Sequence, residues 1–581
     1  MKKIGKILLW IFAIIGIFVV LFLILLAKSI SSEKKIAIKP NSILEIDLSG
    51  IHRDYNAYKG IPFVKENISI SEICRKLDSA KGDSRIKGIY LKPAFYQGGW
   101  ALTKELREKL LDFKNSGTFD KKIYSYFDIV YDKGYYLASV SDSIFMNPSA
   151  SGGIALTGIG ADISFYKGFL DKLGIEFTVL HQGKYKGAGE QFSRKTISQP
   201  MRESFTKLID DLYNQDIKDL ADARNLSENQ VRNIMENRPD FLISGKRALD
   251  LNLVDFLSSE KEFKENILAG YHLVELSKYP IQKSSSENKI AVLYAQGPIV
   301  VSNTESMFGG DYRKITSEDI AKELEKIKKM SSVKALVFRV DSPGGSALIS
   351  DIIWEELERI NEEIPLVVSM GNLAASGGYY ISCGADYIFA QPNTLTGSIG
   401  VVGFLPNWQK LREWADVNTY QIKRGKYANF FSPNFAPSEN DKKSLSLLMK
   451  NTYDEFKSRV AEGRGMTPAE VENVAQGRIW SGIDAVENGL VDELGGLNDA
   501  LAKAAELAQI EDYSTLVFPV QKGLIELMLE KNFFDVETMI DLYLKQSNSK
   551  IFDAVLEEKD FIKMISREPI QLIHPYKFEV N

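Results

Sequence analysis

Apolar residues in this chain recur in two rhythms. The runs Lys289 to Tyr294, Ala335 to Val340 and Pro365 to Met370 are short, unbroken and rich in Val, Ile and Leu, the pattern of strands buried on both faces. Between them, Ser317 to Met330 and Ser346 to Asn361 repeat their apolar positions at intervals of three and four, which predicts amphipathic helices. Strands alternating with helices predict an α/β fold with a mostly parallel sheet and helical crossovers. The same rhythm runs earlier in the chain, with strands predicted at Ile43 to Leu48, Ile86 to Leu91 and Lys122 to Tyr126. Ser284-Ser285-Ser286-Glu287-Asn288 separates the two stretches and reads as a linker. Beyond about Ala508 the rhythm changes, and Lys522 to Lys531 and Val536 to Lys545 predict a helical extension.

One apolar run is of another kind. Ile7 to Ala27 carries no charge over 21 residues; as a helix it is about 31 Å long, enough to span a bilayer. Lys2, Lys3 and Lys6 precede it and favour a cytoplasmic N-terminus, although Lys28, Lys34 and Lys35 blur the asymmetry. The globular mass then lies outside the cytoplasm. The run exceeds the core of a usual signal peptide, and Leu25-Leu26-Ala27 lacks the small-x-small cleavage pattern, so an uncleaved anchor is expected rather than a cleaved signal.

The two α/β stretches are copies of one another. Ser244-Gly245 followed by Leu253-Val254-Asp255 recurs as Ser481-Gly482 followed by Leu490-Val491-Asp492. Lys87-Gly88-Ile89-Tyr90-Leu91 matches Lys334-Ala335-Leu336-Val337-Phe338, and Gly50 matches Gly297. A repeat of about 240 residues means two domains of one fold rather than a solenoid of short units. The expected division is residues 1–35 for the tip and anchor, 36–283 and 284–510 for the two domains, and 511–581 for the extension. A length of 581 residues suits that count.

Charge and cysteine content remove some functions. With 72 basic and 77 acidic residues the net charge is −5, and no long basic run follows the first 35 residues, so nucleic-acid binding has no electrostatic support. Cys74 and Cys383 stand far apart in apolar helical contexts and read as two buried thiols rather than a disulfide or metal pair.

The chemistry lies where the copies differ. Ser376, in Ala374-Ala375-Ser376-Gly377-Gly378-Tyr379-Tyr380, aligns with Asp132 of Asp132-Lys133-Gly134-Tyr135-Tyr136, so only the second copy keeps the hydroxyl. Lys186, in Gly183-Lys184-Tyr185-Lys186, aligns with Ala428 of Gly425-Lys426-Tyr427-Ala428, so only the first keeps the amine. A serine and a lysine are the minimum parts of a nucleophile and its base, which implies one site assembled from both halves. Asp341-Ser342-Pro343-Gly344-Gly345-Ser346 and Gly371 to Gly378 each follow a predicted strand and open a predicted helix. That is where ligands bind on parallel sheets. The amides of Gly345 and Gly377 are candidate donors to an oxyanion, although Pro343-Gly344-Gly345 alone is also a plain turn signal.

Other chemistries fit less well. No Gly-Lys-Ser/Thr follows the glycines, so this is not a nucleotide phosphate loop; the Gly-x-Ser-x-Gly elbow is absent because Ala374 holds its first position. The histidines are His52, His181, His272 and His574, none in a zinc-binding spacing. His181 alone lies near the lysine, and reads as structural or site-adjacent. For Lys186 to act as a base at neutral pH, its surroundings must bias it against the ammonium by about 4.6 kcal/mol, which burial between two domains supplies.

These residues resemble signal peptide peptidases of the protease IV type in their long, tandem-domain form. The resemblance rests on the anchor, the duplication, Asp341 to Ser346, Ala374 to Tyr380 and Tyr185-Lys186-Gly187-Ala188-Gly189-Glu190. It implies two Clp-protease/crotonase-like domains and a serine peptidase with Ser376 as nucleophile and Lys186 as general base. It also implies that Ser398, in Thr396-Gly397-Ser398-Ile399-Gly400, helps hold the lysine; its first-half counterpart is Ile154. No metal or other cofactor is implied. The implied substrates are cleaved signal peptides and other apolar peptides, and the implied setting is a homotetramer anchored in the bacterial inner membrane with extracytoplasmic domains. Two other readings stay open: a crotonase-type acyl-CoA enzyme, and a membrane-anchored scaffold that binds peptides without cutting them.

Overall fold

The computed structural model describes residues 37–56, 58–59, 67–115, 119–282, 285–301, 314–523 and 570–573. The proposed anchor and nearly all of the two helices expected after Gly523 lie outside the described residues. No described helix is long and apolar enough to cross a membrane.

Each half is built on a mainly parallel sheet whose six principal strands follow the same order; in the second, Leu395–Gly397 branches from Leu366–Ala375 and carries the antiparallel Ile479–Ser481. In the first it runs Phe256–Leu257, Ser143–Met146, Lys122–Phe127, Ile86–Lys92, Ser42–Asp47, His272–Glu275. In the second it runs Glu493–Leu494, Tyr387–Ala390, Leu366–Ala375, Val333–Ser342, Lys289–Gln296, Ser514–Phe518. The six strands expected from apolar runs all form. The burial of nearly every residue of Ile86–Lys92 and Val333–Ser342 explains why those runs are continuous rather than alternating.

Three expectations need correction. Gly371 to Ala375, expected as a loop, continues the strand Leu366–Ala375, whose register against Val333–Ser342 shifts so that Ser342 faces Ala374. Ser514–Phe518, assigned to the extension, is the outer strand of the second sheet, in the place that His272–Glu275 holds in the first; the second domain therefore runs past residue 510. Lys522–Gly523, expected to begin a helix, is a short strand paired with Tyr58–Lys59. The short runs at these places lack the span over which a period is readable.

The halves are joined by both apolar and ionic contacts. The 26-residue helix Gln199–Arg224 starts at a Ser198 cap and ends at Asn225 in the left-handed region; its counterpart Glu439–Arg464 starts at Ser438 and ends at Gly465. The first of these helices turns Met201, Phe205, Leu208 and Leu212 onto Leu395 and Ile479 of the second half. Burying each such side chain stabilises the junction by roughly 1.5–3 kcal/mol. Nearby, Arg339, wholly buried, pairs with Asp54 and Glu105 of the first half, each at 2.6 Å. The strand that leads to Lys186, Glu176–Gln182 of the first half, pairs antiparallel with Val401–Asn407 of the second. This crossing carries the residues that follow it into the other domain. Cys74 and Cys383 are both buried free thiols.

Candidate active site

Ser376 sits where the strand Leu366–Ala375 turns into the short helix Gly377–Tyr380. Its backbone is held at φ 58°, ψ −115°, a costly conformation for a residue with a side chain. Ser376 N–H donates to the Gly397 carbonyl at 2.7 Å, which anchors the turn against the strand Leu395–Gly397. Ser398 follows directly, also at positive φ (52°), with its N–H bonded to the Arg478 carbonyl at 2.7 Å. Two strained serines are thus fixed side by side on a buried scaffold.

Lys186 arrives from the first half. Beyond Glu176–Gln182 the chain docks on the loop at Gln476: Tyr185 N–H donates to the Gln476 carbonyl at 2.7 Å, and Lys184 N–H to its side-chain oxygen at 2.9 Å. Gly477 follows, at φ 74°, and a Cβ there would lie 2.5–2.6 Å from the Cβ, Cα and N of Lys186. Only glycine allows that approach. The result is a lysine whose Nζ lies 2.7 Å from Ser376 Oγ, 2.9 Å from the Ser398 carbonyl oxygen and 3.0 Å from Ser398 Oγ. Relative exposures are 1% for Lys186 and 0% for both serines. Burial alone pushes the Lys186 amine well below the usual lysine range, and no carboxylate opposes the shift.

The glycines expected at an oxyanion site converge on the same point. Gly345 is in the short strand Gly344–Ser346 at φ 153°, where a Cβ would fall 2.0 Å from the Ile299 carbonyl oxygen. A Cβ on Gly377 would lie 3.0 Å from Gly344 Cα and 3.1 Å from Gly345 N. Gly377 and Gly345 are therefore packed together without side chains between them, with Ser376 next in the chain. All five residues singled out from the sequence, Ser376, Lys186, Gly345, Gly377 and Ser398, lie in one cluster. The described histidines lie elsewhere: His181 and His272 have exposed side chains, and His52 bonds the Ile68 carbonyl at 2.8 Å. Among the described residues, no group of His, Cys, Asp and Glu is arranged to hold a metal.

Three contributors went unforeseen. The Gln476–Gly477 loop has no motif; its role follows only from what docks there. Asp341 is half-buried beside the site: its carboxylate accepts from Leu373 N–H at 3.0 Å, while Asn372 reaches back to accept from Leu102 N–H of the first half at 3.1 Å. Burial, then repulsion by Asp54, raise the Asp341 carboxyl to about 7 despite Arg339. The third is a strand from the C-terminal segment, Ile570–Ile573, which lies against Gly344–Ser346.

A tandem α/β protein that joins a serine to a buried amine beside paired glycines has the parts that hydrolases with an activated hydroxyl use. The family model described as Peptidase family S49 matches residues 117–270 and again 358–511. Three relatives are similar. "Serine protease SPPA, chloroplastic" of Arabidopsis thaliana is 33% identical over 76% of this chain and 66% of its own. "Protease 4" of Haemophilus influenzae is 30% identical over 87% of this chain and 85% of its own. "Putative signal peptide peptidase SppA" of Enterococcus faecium is 35% identical over 42% of this chain and 71% of its own. The chain belongs to peptidase family S49 and is a serine peptidase.

Proposed function

We propose that Ser376 and Lys186 are the catalytic dyad of a membrane-anchored endopeptidase that degrades cleaved signal peptides and other apolar peptides. The observation that carries the reading is the 2.7 Å approach of Lys186 Nζ to Ser376 Oγ inside a sealed pocket. A neutral amine has two N–H donors and one lone pair. In this reading the Ser398 carbonyl and hydroxyl take the two N–H bonds, which turns the lone pair to the Ser376 hydroxyl. Ser398 is then an orienting group, and its strained backbone serves that aim.

The reaction is acyl transfer to water. Lys186 removes the Ser376 proton as Oγ attacks the peptide carbonyl, and the Gly345 and Gly377 amides stabilise the oxyanion. The ammonium protonates the leaving amine, and the regenerated amine then draws a proton from water to release the acyl group. The choice of signal-peptide substrates follows the printed name of the Enterococcus faecium relative, and the wider class of apolar peptides is what the family resemblance implies. Ile7 to Ala27 holds the chain in the bacterial inner membrane, with both domains extracytoplasmic.

Self-association belongs to the same reading, four copies being what the family resemblance implies. What supports association is the second-half counterpart of the segment that carries Lys186. It exposes Trp414 (83%), Tyr420 (89%), Ile422 and Phe431, large apolar side chains close together in the sequence, of the kind that protein interfaces cover. Hydrolysis of a fluorogenic apolar peptide by the wild type, Ser376→Ala and Lys186→Ala tests the dyad. Both variants are expected to be inactive; hydrolysis by both at the wild-type rate overturns it.

A further inference from the structure

A four-stranded antiparallel sheet crosses the mouth of the site, in the order Glu176–Gln182, Val401–Asn407, Ile570–Ile573, Gly344–Ser346. Its first member comes from the amine-bearing half and two others from the serine-bearing half. The third is the chain's own C-terminal segment. Gly344, Gly345 and Ser346 face Ile573, Leu572 and Gln571, while Val402 and Gly403 face Gln571 and Ile570. Gln571 is fully enclosed.

Neighbouring strands lie about 4.8 Å apart, so the edges of Val401–Asn407 and Gly344–Ser346 are about two strand spacings from each other. Without the C-terminal strand both edges turn unpaired backbone groups into a slot one chain wide. Such a slot is filled by an extended backbone, which gains ladder bonds on both sides. The register fixes the direction of the occupant, antiparallel to both walls. It also sets Leu572 opposite Gly345, the residue whose amide faces the reacting carbonyl in the reading above. Gly344 and Ser346 are bonded on their other side to Ile299: Ile299 N–H donates to Gly344 O at 2.9 Å, and Ser346 N–H to Ile299 O at 2.9 Å. By the alternation of a strand, the backbone groups of Gly345 point the opposite way, into the slot. The sequence suits the role: Ile570-Gln571-Leu572-Ile573 is uncharged and lies between Pro569 and the pair His574-Pro575. With this strand in place, Ser376, Ser398 and Lys186 are closed off from solvent.

We infer that residues 570–573 are a built-in occupant of the peptide groove, a tethered strand that an incoming extended peptide must displace. The inference rests on the proposed dyad only for the word substrate; occupation of the groove is a matter of binding. A tether of this kind keeps its strand at an effective concentration near the millimolar range, so an added peptide competes at a disadvantage.

The test uses the full chain and a chain ending at Glu568, both carrying Ser376→Ala, titrated with a labelled peptide of the sequence 568–576. The shortened chain is expected to bind it at least about tenfold more tightly. Equal affinities, or no binding by either, overturn the inference. In the active background, KM for an apolar fluorogenic peptide falls by a similar factor on shortening, with kcat unchanged. Leu572→Pro in the intact chain, its fold checked by thermal unfolding, removes the N–H facing Gly345 and is expected to reproduce the effect of shortening. A binding difference without hydrolysis by either chain leaves the occupied groove standing and removes the dyad. Brisk hydrolysis with one KM for full, shortened and Leu572→Pro chains does the reverse.

Discussion

The two halves have the same sheet order and close it around different chemistry. In the second, Ser376 meets an amine delivered from the first. In the first, the same turn between strand and helix holds Asp132, whose carboxylate folds back to accept from Thr157 N–H at 2.6 Å, Thr157 Oγ1–H at 2.7 Å and Gly158 N–H at 2.9 Å. Leu156, not Ile154 as the sequence alignment implied, stands where Ser398 would be: Val130 pairs with Ile154 as Ala374 pairs with Thr396, and the bridge from Ile154 to Ile243 matches that from Thr396 to Trp480. The arms differ as well. The segment ending in Lys186 is half-buried and carries a buried lysine across the boundary, whereas its counterpart around Lys426 and Tyr427 is exposed. In the proposed dyad, duplication has thus left one half with the serine and no lysine and the other with the lysine and no serine. The first half's site has become a self-satisfied polar knot.

The sharpest way to break that contrast is to remove one member of the pair. Ser376→Ala should lower kcat by about 10⁴–10⁶-fold, and Lys186→Met by a comparable amount, with the double variant no worse than either alone, because residues that act as a unit are not additive. A double variant slower than the singles by a further large factor would show that they work separately. The lysine also has a signature in stability. Its folded pKa lies below the unfolded value, so the cost of burying it is absent above about pH 10.4 and grows as pH falls toward the folded pKa. Thermal melts of Lys186→Met against wild type should therefore diverge in the variant's favour as pH is lowered through that window. Parallel curves would mean that the amine is not held neutral.

Next in size is the ionic tie between halves. Arg339→Met leaves Asp54 and Glu105 enclosed without their cation, and removing one partner of a buried pair costs about 3–5 kcal/mol. Denaturant unfolding measures this, and a loss below about 1 kcal/mol would reduce the tie to a surface-like pair. A smaller effect belongs to Asp341. Its carboxyl, raised to about 7 first by burial and then by Asp54, carries no penalty below the usual aspartate range near pH 3.9. The penalty grows as pH rises toward 7 and is complete above it. Asp341→Asn keeps an acceptor for Leu373 N–H, so the variant should gain on the wild type in stability between about pH 4 and 7. A constant difference across that range would rule out its titration.

How much of this was legible in the chain depended on whether a signal repeated. The six central strands and the place of the two glycines proposed as oxyanion donors were readable because continuous apolar runs and glycine-rich stretches appear where parallel sheets need them. The serine and lysine were readable because each copy serves as a control for the other. Ser514–Phe518 was missed because its counterpart His272–Glu275 is short and carries no continuous run. Ile570–Ile573 was missed for a stronger reason: four uncharged residues have no period, and the two edges they fill come from parts of the chain that meet only after folding. Asp341 stood inside a noticed motif, but its charge environment depends on Asp54 and Arg339, which no local pattern connects to it.

The smallest expected effect tests whether the first half's site is chemically silent. Asp132→Ala removes the acceptor of two N–H bonds and one O–H bond in a buried place, so stability should fall by about 1–3 kcal/mol. Activity should stay within about twofold of wild type, since Asp132 touches neither Ser376 nor Lys186 and acts on them only through domain packing, a route worth less than the tenfold that 1.4 kcal/mol represents. Steady-state kinetics on folded protein at low temperature separates the two readouts. A tenfold fall in kcat with the melt unchanged would mean that the Asp132 turn takes part in the reaction. The proper comparison would then be between two active sites rather than one site and its relic.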